Sequence, residues 1–142
     1  YKLKEDFFSE KIIINGGITS IKEIETHLKK TDGVMIGRAA YHTPYFLADI
    51  EKEIFNNDNV PSRQDVIEQL IPYIKDELKK GTRLNQIMRH TLGLFHGQTG
   101  ASYWKRYLSE NMCVRDADVK KIDHIMDKIK YNNVDVSAGQ SV

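Results

Sequence analysis

IIINGG at residues 12–17 and VMIGR at residues 34–38 are the two stretches that decide the fold of the first part of the chain. Each is a short apolar run that ends at a glycine, which predicts a strand buried on both faces of a sheet and followed by a tight turn. Between them, Ser20 and Glu23 form the pattern of a capping box, and apolar residues then recur at helical spacing. The order strand, helix, strand predicts a parallel βαβ unit.

Beyond residue 43 every pattern is helical. Apolar residues recur at helical spacing in five segments, which begin at Pro44, Ser62, Leu84, Ala101 and Asp116. The second segment contains Pro72, which removes one backbone donor and is expected to kink its helix. The third is predicted as one helix from residue 84 to residue 95. Together the segments predict a bundle of four to five helices.

The two patterns predict two domains and a tail. Residues 1–43 carry the βαβ pattern, residues 44–131 the helical bundle, and residues 132–142 a flexible tail. Two strands leave their edges and faces uncovered, so we expect the rest of the sheet in a longer parent chain. The absence of an initiator Met at Tyr1 agrees with that expectation. An incomplete sheet is also expected to favour self-association.

Charge is distributed unevenly, although the whole chain carries a formal net charge of only +1. Residues 44–78 have a net charge of −5, whereas residues 79–115 have seven basic residues and one acidic residue, a net charge of +6. A local field of that size attracts a polyanion. The alternative is a solvated basic face that lies against its acidic neighbour, and composition leaves both interpretations open.

Composition excludes several classes of protein. The balanced charge does not fit a polycationic tail or an acidic disordered segment, and the apolar runs are too short to span a membrane. The single cysteine, Cys113, cannot form an internal disulfide, which predicts a reducing, cytoplasmic compartment. The five histidines lack metal-ligand spacing, so no metal site is expected.

The chemistry is predicted at the ends of the two strands. Asn15, Gly16 and Gly17 follow the first strand, and Gly37 and Arg38 follow the second. Glycines at the carboxyl ends of parallel strands let backbone N–H groups approach an anion, and Arg38 adds a charge-assisted contact. In a (β/α)8 barrel the loops after the last two strands often bind phosphate. The alternative is that the glycines serve only the tight turns.

Longer motifs resemble the tRNA-dihydrouridine synthases. INGGI at residues 14–18 and DGVMIGRAAY at residues 32–41 are similar to the end of that family's flavin barrel. RHTLGLF at residues 89–95 and GASYWKRYLS at residues 100–109 are similar to the helical domain of its A subfamily. The resemblance runs from residue 1 to about residue 129. It implies an α/β plus α fold: the last two β/α units of a (β/α)8 TIM barrel, followed by an all-helical bundle domain, in a mostly helical fragment.

The resemblance also implies an activity. Members reduce a uridine in the D-loop of tRNA to 5,6-dihydrouridine with FMN, which NADPH recharges. The residues that match the family's FMN-contacting segments are Asn15, Gly16, Gly17, Gly37 and Arg38. The family's catalytic cysteine lies on an earlier barrel loop, and Cys113 does not match it, so no catalytic residue is assigned in this chain. The chain alone is therefore expected to be inactive.

The helical domain is where the resemblance implies contact with tRNA. Two cationic positions of the family's Gly-Ala-Arg-x-Trp-Arg-Arg stretch correspond to Ser102 and Lys105, and Arg106 follows. Lys105 keeps the charge without the planar fork of arginine, whereas Ser102 loses the charge. Trp104 lies on the apolar stripe of its helix and is predicted in the core. The predicted RNA-binding residues are Arg83, Arg89, Ser102, Lys105 and Arg106.

Two functions of different classes follow. The first is the C-terminal part of a flavin-dependent tRNA-dihydrouridine synthase. The second is a non-catalytic RNA-binding helical module that carries vestigial barrel residues. Six more strand–helix units with a catalytic cysteine upstream would favour the enzyme.

Overall fold

A computed structural model describes residues 1–114 and 117–138, and side chains within these ranges as far as residue 129. The chain separates into two compact units, Tyr1–Val60 and the residues from Pro61 onward. The first unit contains α1 (Lys2–Asp6), β1 (Ile13–Asn15), α2 (Ile21–Leu28), β2 (Gly33–Met35), α3 (Arg38–His42) and α4 (Phe46–Glu53). The second contains α5 (Arg63–Lys79), α6 (Leu84–Met88), a 3-10 turn (Arg89–Thr91), α7 (Ala101–Asn111) and α8 (Val119–Ala138).

The predicted βαβ unit is confirmed. β1 and β2 pair in parallel, with Ile14 opposite Val34. The predicted capping box begins α2, since the Ser20 hydroxyl accepts a hydrogen bond from the Glu23 N–H and the Glu23 carboxylate accepts one from the Ser20 N–H. Short local patterns in this part of the sequence therefore determine both the strands and the start of the helix between them.

The prediction that both strands are buried on both faces is wrong. Ile14 and Val34 pack toward α2 and α4, but Ile13 on the other face of the sheet is 64% exposed and Met35 is 48% exposed. Side chains alternate between the two faces of a strand, so each strand sends every second residue to the face that no described element covers. One covered face gives these strands the alternating burial of a half-exposed sheet.

The first unit includes more of the chain than the predicted first domain. Its core is a small cluster of Ile18, Ile24 and Ile50, with Phe46 and Ile54 packed against it. Ile50 belongs to α4, so the segment 44–60 lies with the first unit although the sequence pattern assigns it to the helical domain. The division between the compact units therefore falls after Val60 rather than after Thr43.

The second unit is a helical assembly with a large core of its own. Trp104 is fully buried, its indole N–H donates a hydrogen bond to the Thr91 carbonyl at 3.0 Å, and its ring lies 4.8 Å from that of Phe95. Trp104 is thus a core residue, as its stripe position predicts. The other large side chains that are fully buried in the described part of this unit are Phe95, Ile67, Ile74, Leu84, Met88, Met112, Ile122, Ile125 and Ile129.

The predicted single helix from residue 84 to residue 95 is wrong. α6 ends at Met88, a 3-10 turn follows over Arg89–Thr91, and irregular turns lead on to Gly100. The Thr91 hydroxyl donates to the Met88 carbonyl at 2.8 Å, while the Thr91 carbonyl accepts from the indole of Trp104. These contacts satisfy backbone groups that a continuous helix would have paired internally.

The other helix predictions have mixed outcomes. α5 begins at the capping box of Ser62 and Asp65 and continues through Pro72 as one helix. Asp116, the predicted cap of the last helix, lies outside the described residues, and it is Asp118 whose carboxylate accepts the Lys120 N–H at 3.1 Å. The backbone of α8 is helical through Ala138, which includes residues 132–138 of the expected flexible tail; residues 139–142 lie outside the described part.

None of the helices in the described ranges is both long enough and apolar enough to cross a bilayer.

Candidate functional site

The first candidate site lies at the carboxyl edge of the two-stranded sheet. Because β1 and β2 are parallel and Asn15 is opposite Met35, the turns that follow the two strands leave the sheet at the same edge. The structure thus brings together the residues predicted to bind phosphate. We call this group the strand edge; its members are Asn15, Gly16, Gly17, Gly37 and Arg38.

The glycines of the strand edge differ in what the backbone requires of them. Gly16 has φ of 143° and Gly17 has φ of 63°, conformations that disfavour any other residue, and a Cβ at either position would meet no atom within 4 Å. Gly37 has φ of −102°, and a Cβ there would touch only the Met35 side chain at an ordinary 3.8 Å. Turn geometry explains Gly16 and Gly17 but does not explain Gly37.

The residues of the strand edge are exposed, and one of them, Arg38, carries a positive charge. Arg38 is exposed at the first position of α3 and makes no ion pair with any side chain that the structure describes. Asn15, Gly16 and Gly17 are likewise exposed. An anion placed against these turns would meet backbone N–H groups and a guanidinium without first displacing a protein carboxylate.

At the N-terminus of α2, in contrast, the backbone N–H groups already bind a carboxylate of this chain, that of Glu23. One oxygen of the Glu23 carboxylate accepts hydrogen bonds from the Thr19 N–H at 2.9 Å and the Ser20 N–H at 3.0 Å, and from both hydroxyls. The Thr19 N–H, followed by the Ser20 hydroxyl, lowers the pKa of Glu23. A phosphate at the strand edge would therefore use N–H groups other than those of Thr19 and Ser20.

The second candidate site is the exposed side of α7. Trp104 and Leu108 point into the core, while Ser102, Lys105, Arg106 and Ser109 are exposed at the intervening helical spacing. We call these four residues the α7 face. Two of the predicted cations, Lys105 and Arg106, lie together on this face with Ser102 one turn before them.

A cavity of about 470 Å³ lies at the start of the α7 face, lined by Ser102 and Arg106 together with Gln98 and Tyr103. The Arg106 guanidinium lies 5.8 Å from the centre of the Tyr103 ring. Gly100, which precedes α7, has φ of 88° and no side chain caps the helix. Gln98 and Tyr103 line this cavity without a signal in the sequence, because neither carries a charge or belongs to a capping pattern.

The remaining predicted cations are placed differently. Arg89 is exposed and lines a second cavity, of about 260 Å³, together with Ser109 of the α7 face. Arg83 is also exposed but lies at the opposite end of α6, where its backbone N–H donates to the Gln86 side chain at 3.0 Å. The structure therefore brings Arg89 beside the α7 face and leaves Arg83 one short helix away.

Part of the basic segment is already paired with acidic residues. Lys80 lies 2.7 Å from Asp76 and 3.0 Å from Glu77, at the exposed end of α5. Both carboxylates raise the pKa of Lys80, and the hydrogen bond to Asp76 is the largest single cause. The interpretation of the charge as a solvated face beside acidic neighbours therefore fits Lys80, whereas Lys105 and Arg106 form no ion pair within the described ranges. Arg115 lies outside them.

Cys113 and the histidines provide no metal site that the structure describes. Cys113 is exposed and unpaired, and His90 and His96 are exposed. Among the side chains that the structure describes, in residues 1–114 and 117–129, the carboxylates, imidazoles and thiol form no group of three or more that could hold a metal ion. His124 of α8 instead stacks on Tyr107 of α7 at 5.8 Å between ring centres, and burial raises the pKa of Tyr107.

Comparison with known proteins places both candidate sites within one family. The chain is 43% identical over 135 residues to a tRNA-dihydrouridine(20/20a) synthase of Synechocystis, a match that covers 94% of this chain and 40% of that protein. It is 42% identical over 137 residues to the synthase of that name from Vibrio cholerae, with 96% and 42% covered, and 45% identical over 135 residues to the one from Shewanella oneidensis, with 94% and 39% covered.

The chain thus spans about two fifths of the length of these curated relatives. The family model for dihydrouridine synthase (Dus) matches residues 1–130, which include the strand edge and the α7 face. With nearly its whole length inside that match, the chain belongs to the dihydrouridine synthase family.

Proposed function

We propose that this chain is the C-terminal part of an A-subfamily tRNA-dihydrouridine synthase, with the end of a TIM barrel in its first unit and a tRNA-binding domain in its second. The parent enzyme would reduce a D-loop uridine of tRNA to 5,6-dihydrouridine, and the names of the relatives favour positions 20 and 20a. The observation that carries the proposal is the strand edge, where two parallel strands end together in glycine turns beside an arginine that has no ion pair with any described side chain.

The strand edge fits the phosphate of a flavin. The dihydrouridine synthase family is generally flavin-dependent, and bound FMN would supply the hydride for the uracil ring, with NADPH as the reductant. Gly16 and Gly17 would present backbone N–H groups to the phosphate, and Arg38 would neutralise its charge. A phosphate held closely against Gly37 would explain the missing side chain there. The pocket is incomplete in this chain, so we expect FMN to bind weakly or not at all.

The α7 face fits the RNA backbone. Lys105 and Arg106 are exposed, adjacent and unpaired among the described residues, and Ser102 supplies a hydroxyl on the same side of the helix. The Ser109 hydroxyl already donates to the Lys105 carbonyl at 2.9 Å. Contacts of this kind recognise the phosphates and shape of RNA rather than its sequence. Arg89 extends the surface beyond Ser109.

Titration with unmodified tRNA at several salt concentrations tests the α7 face. Replacing Lys105 and Arg106 together by Ala should weaken binding by roughly 1 to 3 kcal/mol and lower the salt slope by up to about 1.4. The matched control replaces Lys22 and Lys29, two exposed lysines of the first unit, by Ala, which removes the same charge. Equal losses in both double variants, with unchanged circular dichroism, would show a general charge effect and contradict the assignment.

The second candidate function is a non-catalytic RNA-binding module. The observation in its favour is that the α7 face belongs to a unit with its own large core, around Trp104, and does not need the strand edge for its geometry. Incubating the chain with FMN, NADPH and unmodified tRNA bears on both functions. Formation of dihydrouridine above background would exclude the non-catalytic module and also our expectation that the chain alone is inactive.

A further inference from the structure

The cavity of about 260 Å³ between α6 and α7 is lined by apolar side chains on one side and by polar side chains on the other. Its apolar side is built from Met88, Leu108 and Met112, which are at most 3% exposed, and from half-buried Leu92. Its polar side includes the Asn85 amide and the exposed Arg89. The volume of about 260 Å³ is below the range of roughly 300–1,000 Å³ typical of sites for drug-sized ligands, so it suits a single flat ring better than a whole dinucleotide or flavin.

The Asn85 amide is left partly unsatisfied in this lining. Its Oδ1 atom is buried and accepts no hydrogen bond from any described group, and its Nδ2 makes only a long contact of 3.9 Å with the Cys113 sulfur. Rotating the amide by half a turn would exchange the two atoms and leave Nδ2 without an acceptor instead. A buried amide that keeps an unused hydrogen-bonding atom destabilises the fold unless a ligand satisfies it.

We propose that this cavity binds an unstacked nucleobase of the RNA, an inference that rests on the proposed function. Met88 and Met112, which are almost fully buried, form the back of the apolar wall, and their flexible, polarisable side chains would shift to pack on the ring of a base. The Asn85 amide would meet the edge of a base with one donor and one acceptor after a turn of its side chain that brings the buried Oδ1 to the cavity. Arg89 at the rim lies where a cation would meet the phosphate attached to that base, and Ser109 joins the cavity to the α7 face. Bases that leave the stack are the part of an RNA that proteins read in this way.

Cys113 gives the cavity a built-in probe. It is the only cysteine of the chain, it is exposed, and it lines the same cavity. A base in the cavity would shield its thiol from iodoacetamide, a small uncharged reagent. The rate of alkylation, followed by mass spectrometry of the intact 142-residue chain, therefore measures occupancy without requiring tRNA to bind.

The experiment measures this rate with AMP, UMP, GMP or CMP, and with inorganic phosphate at equal ionic strength. We expect at least one nucleotide to slow alkylation about threefold at twice its Kd, because the rate follows the unoccupied fraction. Phosphate should not slow it. Asn85→Leu and Leu92→Trp should each abolish the protection, the first by removing the amide and the second by filling the cavity, while Asn59→Leu in an exposed loop should retain it.

Several outcomes would overturn the proposal: no protection by any nucleotide, equal protection by phosphate, or protection that persists in folded Asn85→Leu. Loss of tRNA binding in the Lys105 and Arg106 variant bears on the proposed function separately. If that variant loses affinity while nucleotides leave Cys113 unprotected, the α7 face stands and the base site fails. If nucleotides protect Cys113 but tRNA does not bind the chain, the base site stands and the tRNA surface fails.

Discussion

The two compact units bury their apolar side chains to very different degrees. The first has a core of three buried isoleucines, whereas Leu3, Phe8 and Ile13 are more than half exposed. The second buries its only tryptophan completely. A two-stranded sheet with one covered face lacks the burial that independent stability requires, while helices that surround a large aromatic core can supply it. The difference shows that a sequence can form regular helices and strands without also burying a core large enough to stabilise them.

The largest expected effect is in the second core. Trp104→Ala should lower the free energy of unfolding by about 3 to 5 kcal/mol, because it leaves a cavity beside Phe95 and removes the donor to the Thr91 carbonyl. Urea unfolding followed by circular dichroism measures the loss. Tyr73→Ala, an exposed aromatic of α5, is the control and should change stability by less than about 0.5 kcal/mol. Similar losses in both variants would contradict the assignment of Trp104 to the core that stabilises the second unit.

A smaller effect should distinguish the two capping boxes. Ser20→Ala in the first unit and Ser62→Ala in the second each remove a hydroxyl that accepts an N–H at the start of a helix, which costs about 1 kcal/mol. Amide hydrogen exchange should show faster exchange within α2 for the first variant and within α5 for the second. If Ser20→Ala instead accelerates exchange throughout the second unit, the two units do not fold as separately as their cores suggest.

The smallest effect concerns acid. Glu23 has a lowered pKa in the fold, so its contribution to stability is present above its ordinary value of 4.5 and is lost as the pH falls through the folded value. Stability measured by thermal melting at several pH values below 5 should fall less steeply in Glu23→Gln than in the unsubstituted chain. Identical slopes would show that the carboxylate at the start of α2 contributes nothing through its charge.

Local signals in the sequence predicted much of the fold. The capping boxes at Ser20 and Ser62 depend on residues three positions apart, and the βαβ unit depends on two apolar runs, so both could be predicted without tertiary information. The same two apolar runs also predicted the strand edge, since the carboxyl ends of neighbouring parallel strands lie at the same end of a sheet. What the sequence could not predict depended on contacts between separate segments: the Trp104 indole donates to the Thr91 carbonyl, and Ile50 packs with Ile18 and Ile24.

For the candidate sites, too, residues with a local sequence signal could be predicted, whereas residues that depend on the packing of separate helices could not. The α7 face and the cavity beside it are examples. Charge and resemblance predict Lys105 and Arg106, and helical spacing leaves both off the apolar stripe that contains Trp104. Asn85 carried no such signal, because an uncharged amide in a short helix fits a surface as well as a cavity. Its unsatisfied oxygen becomes visible only when α6 and α7 are packed together.

The burial of Trp104 in the second unit also determines what tryptophan fluorescence can measure in this protein. As the sole tryptophan, it dominates emission excited near the red edge of protein absorption, and its burial against Phe95 shields the excited indole from water. Tryptophan fluorescence therefore reports the unfolding of the second unit alone, whereas far-ultraviolet circular dichroism reports the secondary structure of both units. Comparing the two transitions in a single sample separates the melting of one unit from that of the other without a label or a truncation.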